Sequence, residues 1–109
     1  MTDLEMTRLA AEAIGLDVYV DAYGDLCLPN VDHDGDNYHY WPLHDDAQAM
    51  ALVKKFYLDI ECYATSSMWT VLFDDLRSVY KVGPLPDLNR AIVECVANMM
   101  AAKRAKAGA

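Results

Sequence analysis

The chain has 109 residues, of which 54% are hydrophobic, and its formal net charge is −8. This length predicts one domain with a core large enough to fold without a metal or disulfide. No apolar run approaches the ~20 residues that a transmembrane helix needs, and the acidic start is unlike a signal peptide. We therefore expect a cytoplasmic protein with no contact to a membrane.

The charge is unevenly distributed along the chain. Residues 1–76 contain 15 acidic and 3 basic residues, whereas residues 77–109 contain 2 acidic and 6 basic residues. An acidic domain repels phosphate backbones, so direct nucleic-acid binding is disfavoured. The same charge suits either binding to a basic protein surface or solubility alone.

The first predicted elements are a helix and a β-hairpin. Thr2-Asp3-Leu4-Glu5 is a capping box, and apolar residues at helical spacing predict a helix from Asp3 to Ile14. Gly15 is placed to end this helix in the left-handed conformation. Residues 17–21 alternate with Val18 and Val20 on one face, and they predict a strand that pairs with 26–28, which Pro29 closes.

Residues 30–39 are the most hydrophilic stretch and predict a polar loop. Trp41-Pro42 ends this loop, and Asp45 is the predicted N-cap of a second helix, with Gln48 at the capping-box position. Four residues form the buried stripe of this helix: Ala49, Leu52, Val53 and Phe56.

Three further strands are predicted at 58–63, 68–73 and 78–82. Gly83-Pro84-Leu85-Pro86 is expected to end the last of them, since proline cannot donate into a strand ladder. Consecutive strands with tight connections indicate an antiparallel sheet.

Asp87 is the predicted N-cap of the last helix, whose apolar residues share one face. This face consists of Leu88, Ile92, Cys95, Val96 and Met99. The basic tail, residues 103–109, is expected to fray. The predicted order is αββαβββα, so residues 1–109 form a single α+β domain with helices packed on an antiparallel sheet.

The residues that carry chemistry do not predict an enzyme. The chain has no nucleophile elbow and no glycine-rich phosphate loop, so neither catalytic residues nor a cofactor is expected. Its three cysteines are dispersed, which indicates reduced core thiols. They are Cys27, Cys62 and Cys95.

One loop contains a pattern that resembles a metal site. Asp32, Asp34 and Asp36 alternate as at the start of a calcium loop, and His39 and His44 follow. The EF-hand pattern then fails, because Asn37 replaces the turn glycine and Leu43 replaces the final Glu. No metal ligands are assigned, and a solvated loop of turn-forming residues is the simpler interpretation.

Acidic residues alternate with aromatic ones in the same region. Such a surface suits protein binding, with Trp41 as an interface anchor, or mimicry of a nucleic acid. The residues predicted to contact a partner are Asp32, Asp34, Asp36, Tyr38, Tyr40 and Trp41.

Three segments resemble the phage ABA sandwich domain. Residues 41–49 (Trp-Pro-Leu-His-Asp-Asp-Ala-Gln-Ala), followed by Leu52, are similar to the signature of that family. Residues 9–16 resemble its opening helix, and residues 87–96 resemble its closing helix. The resemblance implies a small tailed-phage or prophage protein in the host cytoplasm, with helices on both faces of a sheet. The residues themselves leave either two or three layers open. It implies no activity, because the family offers no catalytic residues to transfer.

Three functional hypotheses follow. The first is a non-enzymatic accessory protein that binds a host or phage protein through its acidic Tyr/Trp surface, for host takeover or anti-defence. The second is a structural component that assembles with copies of itself, forming a homo-oligomer. The surface for this pairing consists of Ile92, Cys95, Val96, Met99 and Met100. The third is a small enzyme or metal-binding protein that uses the Asp32–His44 loop.

Overall fold

The computed structural model describes residues 1–28 and 39–107. The predicted α+β class and the predicted order of elements are confirmed. The first four elements are α1 (Asp3–Ala13), β1 (Tyr19–Val20), β2 (Leu26–Cys27) and α2 (Asp46–Phe56). The last four are β3 (Asp59–Tyr63), β4 (Met68–Asp74), β5 (Val79–Leu85) and α3 (Leu88–Ala107).

Helix α3 is the centre of the fold. It packs on β4 and β5 of the antiparallel β3-β4-β5 sheet, and both α1 and α2 pack on it. Its residues 91–93 and 95–97 are all buried, which requires neighbours on more than one helix face. The described helices therefore lie on one side of the sheet, whereas the resemblance implied helices on both faces.

The central position of α3 removes most of the surface that was predicted for self-assembly. Ile92, Cys95 and Val96 are at most 1% exposed, and Met99 and Met100 pack against the same core. Side chains that already fill the core cannot pair with a second copy of the chain.

Within the described part of the chain, no helix is both long and apolar enough to cross a membrane.

The local caps agree with the sequence at the start of each helix. The Thr2 hydroxyl accepts a hydrogen bond from the Glu5 amide at 3.1 Å, and the Asp87 carboxylate accepts one from the Arg90 amide at 3.2 Å. The far end of α3 differs from the prediction, because the helix continues to Ala107 instead of fraying from residue 103. An ion pair between Arg104 and Glu12 joins the C-terminal end of α3 to α1.

The hairpin is shorter than predicted, and its buried strand is the second one. Val18 lies outside β1 and Val20 is exposed, whereas Leu26 and Cys27 of β2 are buried. Asp21 ends β1, because its side chain accepts hydrogen bonds from the amides of residues 23 and 25 and so turns the chain. The predicted end at Pro29 lies outside the described residues.

Strand β5 continues through the segment that was predicted to break it. It runs to Leu85, which pairs with Trp69, and the register of β4 and β5 shifts between Trp69 and Val71. This irregularity lets the ladder accommodate Pro84 near its end, as β-bulges do elsewhere. The prediction that the strand ends at residue 82 was therefore wrong.

The prediction of three core thiols holds for two of them. Cys27 and Cys95 are buried, but Cys62 is exposed. Cys62 lies on β3, which is an edge strand of the sheet. The β3 residue that packs against the core is Ile60.

The backbone conformation of Tyr57, at the end of α2, indicates that glycine at this position would stabilise the protein. The Leu58 amide donates to the Val53 carbonyl, five residues back, while Tyr57 adopts the left-handed conformation (φ 53°). Gly15 has the same place after α1, where glycine is the favoured residue. Tyr57 is 89% exposed, so its ring contributes little packing. We expect Tyr57→Gly to raise the free energy of unfolding by about 0.5–1 kcal/mol.

Urea denaturation followed by circular dichroism measures this change. Tyr57→Ala is the matched control, because it removes the same ring but keeps the Cβ atom that the left-handed conformation disfavours. A gain in stability for Tyr57→Ala as large as that for Tyr57→Gly would contradict the backbone explanation.

Candidate functional site

The segment 39–44 is attached to α2 by the side chain of Gln48. Its Oε1 accepts a hydrogen bond from the Trp41 amide at 2.6 Å, and its Nε2 donates to the His39 carbonyl at 2.8 Å. Asp45 caps α2 as predicted, since its carboxylate accepts from the Gln48 amide at 3.0 Å. The Gln48 side chain, predicted to bond back to Asp45, instead fixes the backbone on either side of Tyr40.

Trp41 projects from a tight turn whose two central residues are buried. The His44 amide donates to the Trp41 carbonyl at 2.9 Å, and Pro42 and Leu43 lie in the interior. The Trp41 ring contacts the His44 ring edge to face, with centroids 4.6 Å apart. The indole is 45% exposed. This arrangement holds a large apolar ring at the surface in one orientation.

Tyr40 points in the opposite direction and is only 3% exposed. Its amide donates to the Leu26 carbonyl at 2.9 Å, which attaches the segment to β2. Its Oη is buried without a hydrogen-bond partner among the described residues. Burial raises the pKa of Tyr40 to about 12, so the hydroxyl stays protonated at neutral pH. The Tyr40 hydroxyl is therefore not accessible to a partner at the surface.

These two aromatic residues lie beside a small open cleft, which we call the Trp41 cleft. Its volume is about 160 Å³, and it is enclosed by the start of α1, the hairpin turn and segment 39–44. Among the described residues that line it there is no Lys or Arg. Its acidic members are Asp3, which forms an ion pair with Arg90 at 2.9 Å, and Asp25.

Asp21, Cys27 and His39 form a cluster next to this cleft. The Cys27 Sγ lies 3.5 Å from Oδ2 of Asp21. The Sγ, one Asp21 carboxylate oxygen and one His39 ring nitrogen all lie within 4.8 Å of one another. Burial and the neighbouring Asp21 raise the pKa of the Cys27 thiol. Hydrogen bonding to the Asp25 amide lowers the pKa of Asp21. Among the described residues, this is the one group with three side chains that could hold a metal.

The structure separates the predicted partner-binding residues into three classes. Trp41 is at the surface, whereas Tyr40 is in the interior. Asp32, Asp34, Asp36 and Tyr38 lie outside the described residues.

The loop pattern pointed to His39, but sequence reasoning did not find Asp21 or Cys27 as its neighbours. The alternation of β2 predicts that Cys27 is in a strand, and nothing in the spacing predicts that this strand pairs with residue 39. That pairing depends on the tertiary arrangement of segments separated by ten residues or more.

The chain matches no protein family, no curated protein and no solved structure. The resemblance to the phage ABA sandwich domain therefore stays a prediction, and the geometry of the site carries the functional argument.

Proposed function

We propose that this protein is a non-enzymatic binding module that takes up a Lys or Arg side chain of a protein partner in the Trp41 cleft. One observation carries the proposal: the half-exposed Trp41 stands beside an acidic cleft whose described lining contains no Lys or Arg.

The size of the cleft favours one side chain over a cofactor or a substrate. Pockets for small molecules and cofactors typically enclose roughly 300–1,000 Å³. The Trp41 cleft, at about 160 Å³, is well below that range. A partner that inserts one long side chain would gain its remaining contacts on the surrounding surface, where Trp41 is exposed.

The chemistry of the lining favours a basic side chain. The Asp25 carboxylate supplies negative charge, since Asp3 is already paired with Arg90, and the described lining contributes no Lys or Arg. An exposed indole attracts a cation over its face, an interaction of ~0.5–1 kcal/mol at such sites.

Site-specific crosslinking tests this proposal. The photoreactive amino acid p-benzoylphenylalanine is placed at position 41, and at position 57 as a matched control. Position 57 is also an exposed aromatic site, but it lies at the other end of α2. In host-cell lysate at low salt, we expect one crosslinked protein from position 41 and none from position 57. The yield should fall between about 50 and 500 mM salt, because screening weakens charge attraction.

Asp25→Asn tests the charge of the cleft, because it keeps the size of the side chain and removes its charge. Affinity for the crosslinked partner should fall about fivefold, since one charge interaction is lost. Equal crosslinking from both positions, or unchanged affinity in Asp25→Asn, would contradict the proposal.

A phage accessory role, in host takeover or anti-defence, is the biological setting that we propose for this binding. Its support is the similarity of residues 41–49 and the two flanking helices to the phage ABA sandwich domain. The crosslinked partner would identify the host process involved.

A further inference from the structure

We infer that Asp21, Cys27 and His39 form a Zn²⁺ site with three protein ligands. This inference does not depend on the Trp41 cleft proposal. It differs from the metal hypothesis based on the Asp32–His44 loop, because two of its three ligands belong to the β-hairpin.

The backbone brings the three residues together. Cys27 lies in β2, which pairs with β1 at Tyr19 on one side and with His39 on the other. Asp21 directly follows β1. The hydrogen bonds from Gln48 to segment 39–41 fix His39 relative to α2. The three metal-binding atoms therefore come from segments whose positions are set by strand pairing and by the bonds to Gln48.

The distances suit a tetrahedral zinc ion. Zinc bonds of about 2.3 Å to sulfur and about 2.0 Å to oxygen, at a tetrahedral angle, place the two donors roughly 3.5 Å apart. The Cys27 Sγ and the Asp21 Oδ2 are 3.5 Å apart. With all three donors within 4.8 Å, a shift of about 1.5 Å or less brings the imidazole to a ligand position.

The second carboxylate oxygen of Asp21 provides the support that metal ligands usually have. Its Oδ1 accepts hydrogen bonds from the amides of Tyr23 at 2.9 Å and Asp25 at 3.0 Å. These bonds orient the carboxylate and leave Oδ2 directed at Cys27. Outer hydrogen bonds of this kind fix the geometry of a metal ligand.

The donor set selects the metal. Thiolate and imidazole ligands favour zinc, whereas calcium and magnesium require oxygen ligands. Zinc would displace the thiol proton of Cys27, since the thiolate is the form that binds metal. Three protein ligands leave the fourth tetrahedral position to water.

Cobalt is the spectroscopic probe for this site, because Co²⁺ takes the same ligands and reports its geometry through visible absorption. The whole protein, reduced with a phosphine, is titrated with Co²⁺ and then with Zn²⁺. We expect a 1:1 complex with a thiolate-to-cobalt charge-transfer band and tetrahedral d–d bands, all removed by Zn²⁺. Zn²⁺ should also raise the melting temperature, since it binds the folded state.

Matched variants assign the ligands. Asp21→Asn keeps the oxygen that accepts from residues 23 and 25, so the turn is retained while the charged ligand is lost. Asp21→Asn and His39→Gln should each weaken Co²⁺ binding at least about tenfold, and Cys27→Ala should abolish the charge-transfer band. Cys62→Ser, which removes the exposed thiol, should keep the band.

Circular dichroism confirms that each variant folds. A band that disappears in Cys62→Ser, a titration that does not saturate at 1:1, or unchanged affinity in Asp21→Asn would overturn the inference. In those cases the cluster is a thiol-to-carboxylate hydrogen bond beside a histidine. The cobalt titration and the crosslinking from position 41 are independent experiments, so either proposal can be refuted without the other.

Discussion

Gly83→Ala is expected to lower the free energy of unfolding by about 3 kcal/mol or more, through combined strain and overpacking. Gly83 has a φ of +125°, which side chains rarely adopt. A Cβ at this position would lie 2.5 Å from the Trp69 carbonyl oxygen and 2.8 Å from the Thr70 Cα. Both of these atoms belong to the backbone of β4, so the added methyl group can be accommodated only if β4 and β5 move apart.

Urea denaturation measures the effect, with Gly15→Ala as the control. Gly15 also has a positive φ (76°), but a Cβ there would meet nothing within 4 Å. Gly15→Ala should therefore cost about 1 kcal/mol, from backbone conformation alone. Equal losses in the two variants would show that the close approach of β4 and β5 is not what requires Gly83.

Leu52→Ala is expected to cost about 3 kcal/mol, within the range for large-to-small substitutions in well-packed cores. Leu52 is on α2, is 0% exposed and belongs to the cluster that joins the three helices to the sheet. Removing its side chain loses the transfer free energy of the buried atoms. It also leaves a cavity that α3, packed on several faces, cannot collapse to fill.

Met50→Ala is the matched control for this prediction, since both changes place alanine in the same helix. Met50 is 41% exposed, and we expect its replacement to change stability by no more than about 0.5 kcal/mol. Thermal and urea denaturation should agree on the ranking. If Leu52→Ala were as stable as Met50→Ala, packing of the Leu52 side chain in the core would not contribute to stability.

Partner binding and metal binding place different demands on the same small region. His39 belongs to the metal cluster and also lines the Trp41 cleft. Gln48 holds the backbone of both, through its bonds to residues 39 and 41. These bonds fix the region to α2. We therefore expect the site to have largely the same geometry before and after a ligand binds.

The class, the element order and the start of each helix can be predicted from local patterns in the sequence. Thr2, Asp45 and Asp87 cap helices as predicted, because capping depends on a side chain and an amide three residues away. Period-two and helical patterns are equally local.

The contacts between these elements could not be predicted in the same way, because they depend on the tertiary fold. Gln48 bonds to residues 39 and 41 rather than to its own cap, and Gly83 faces the backbone of a neighbouring strand. Cys27 meets Asp21 through a turn and His39 through strand pairing. Each of these contacts joins segments whose distance in space is set by the packing of α3 and the sheet. Local propensities extend over a few residues, so they carry no information about such distances.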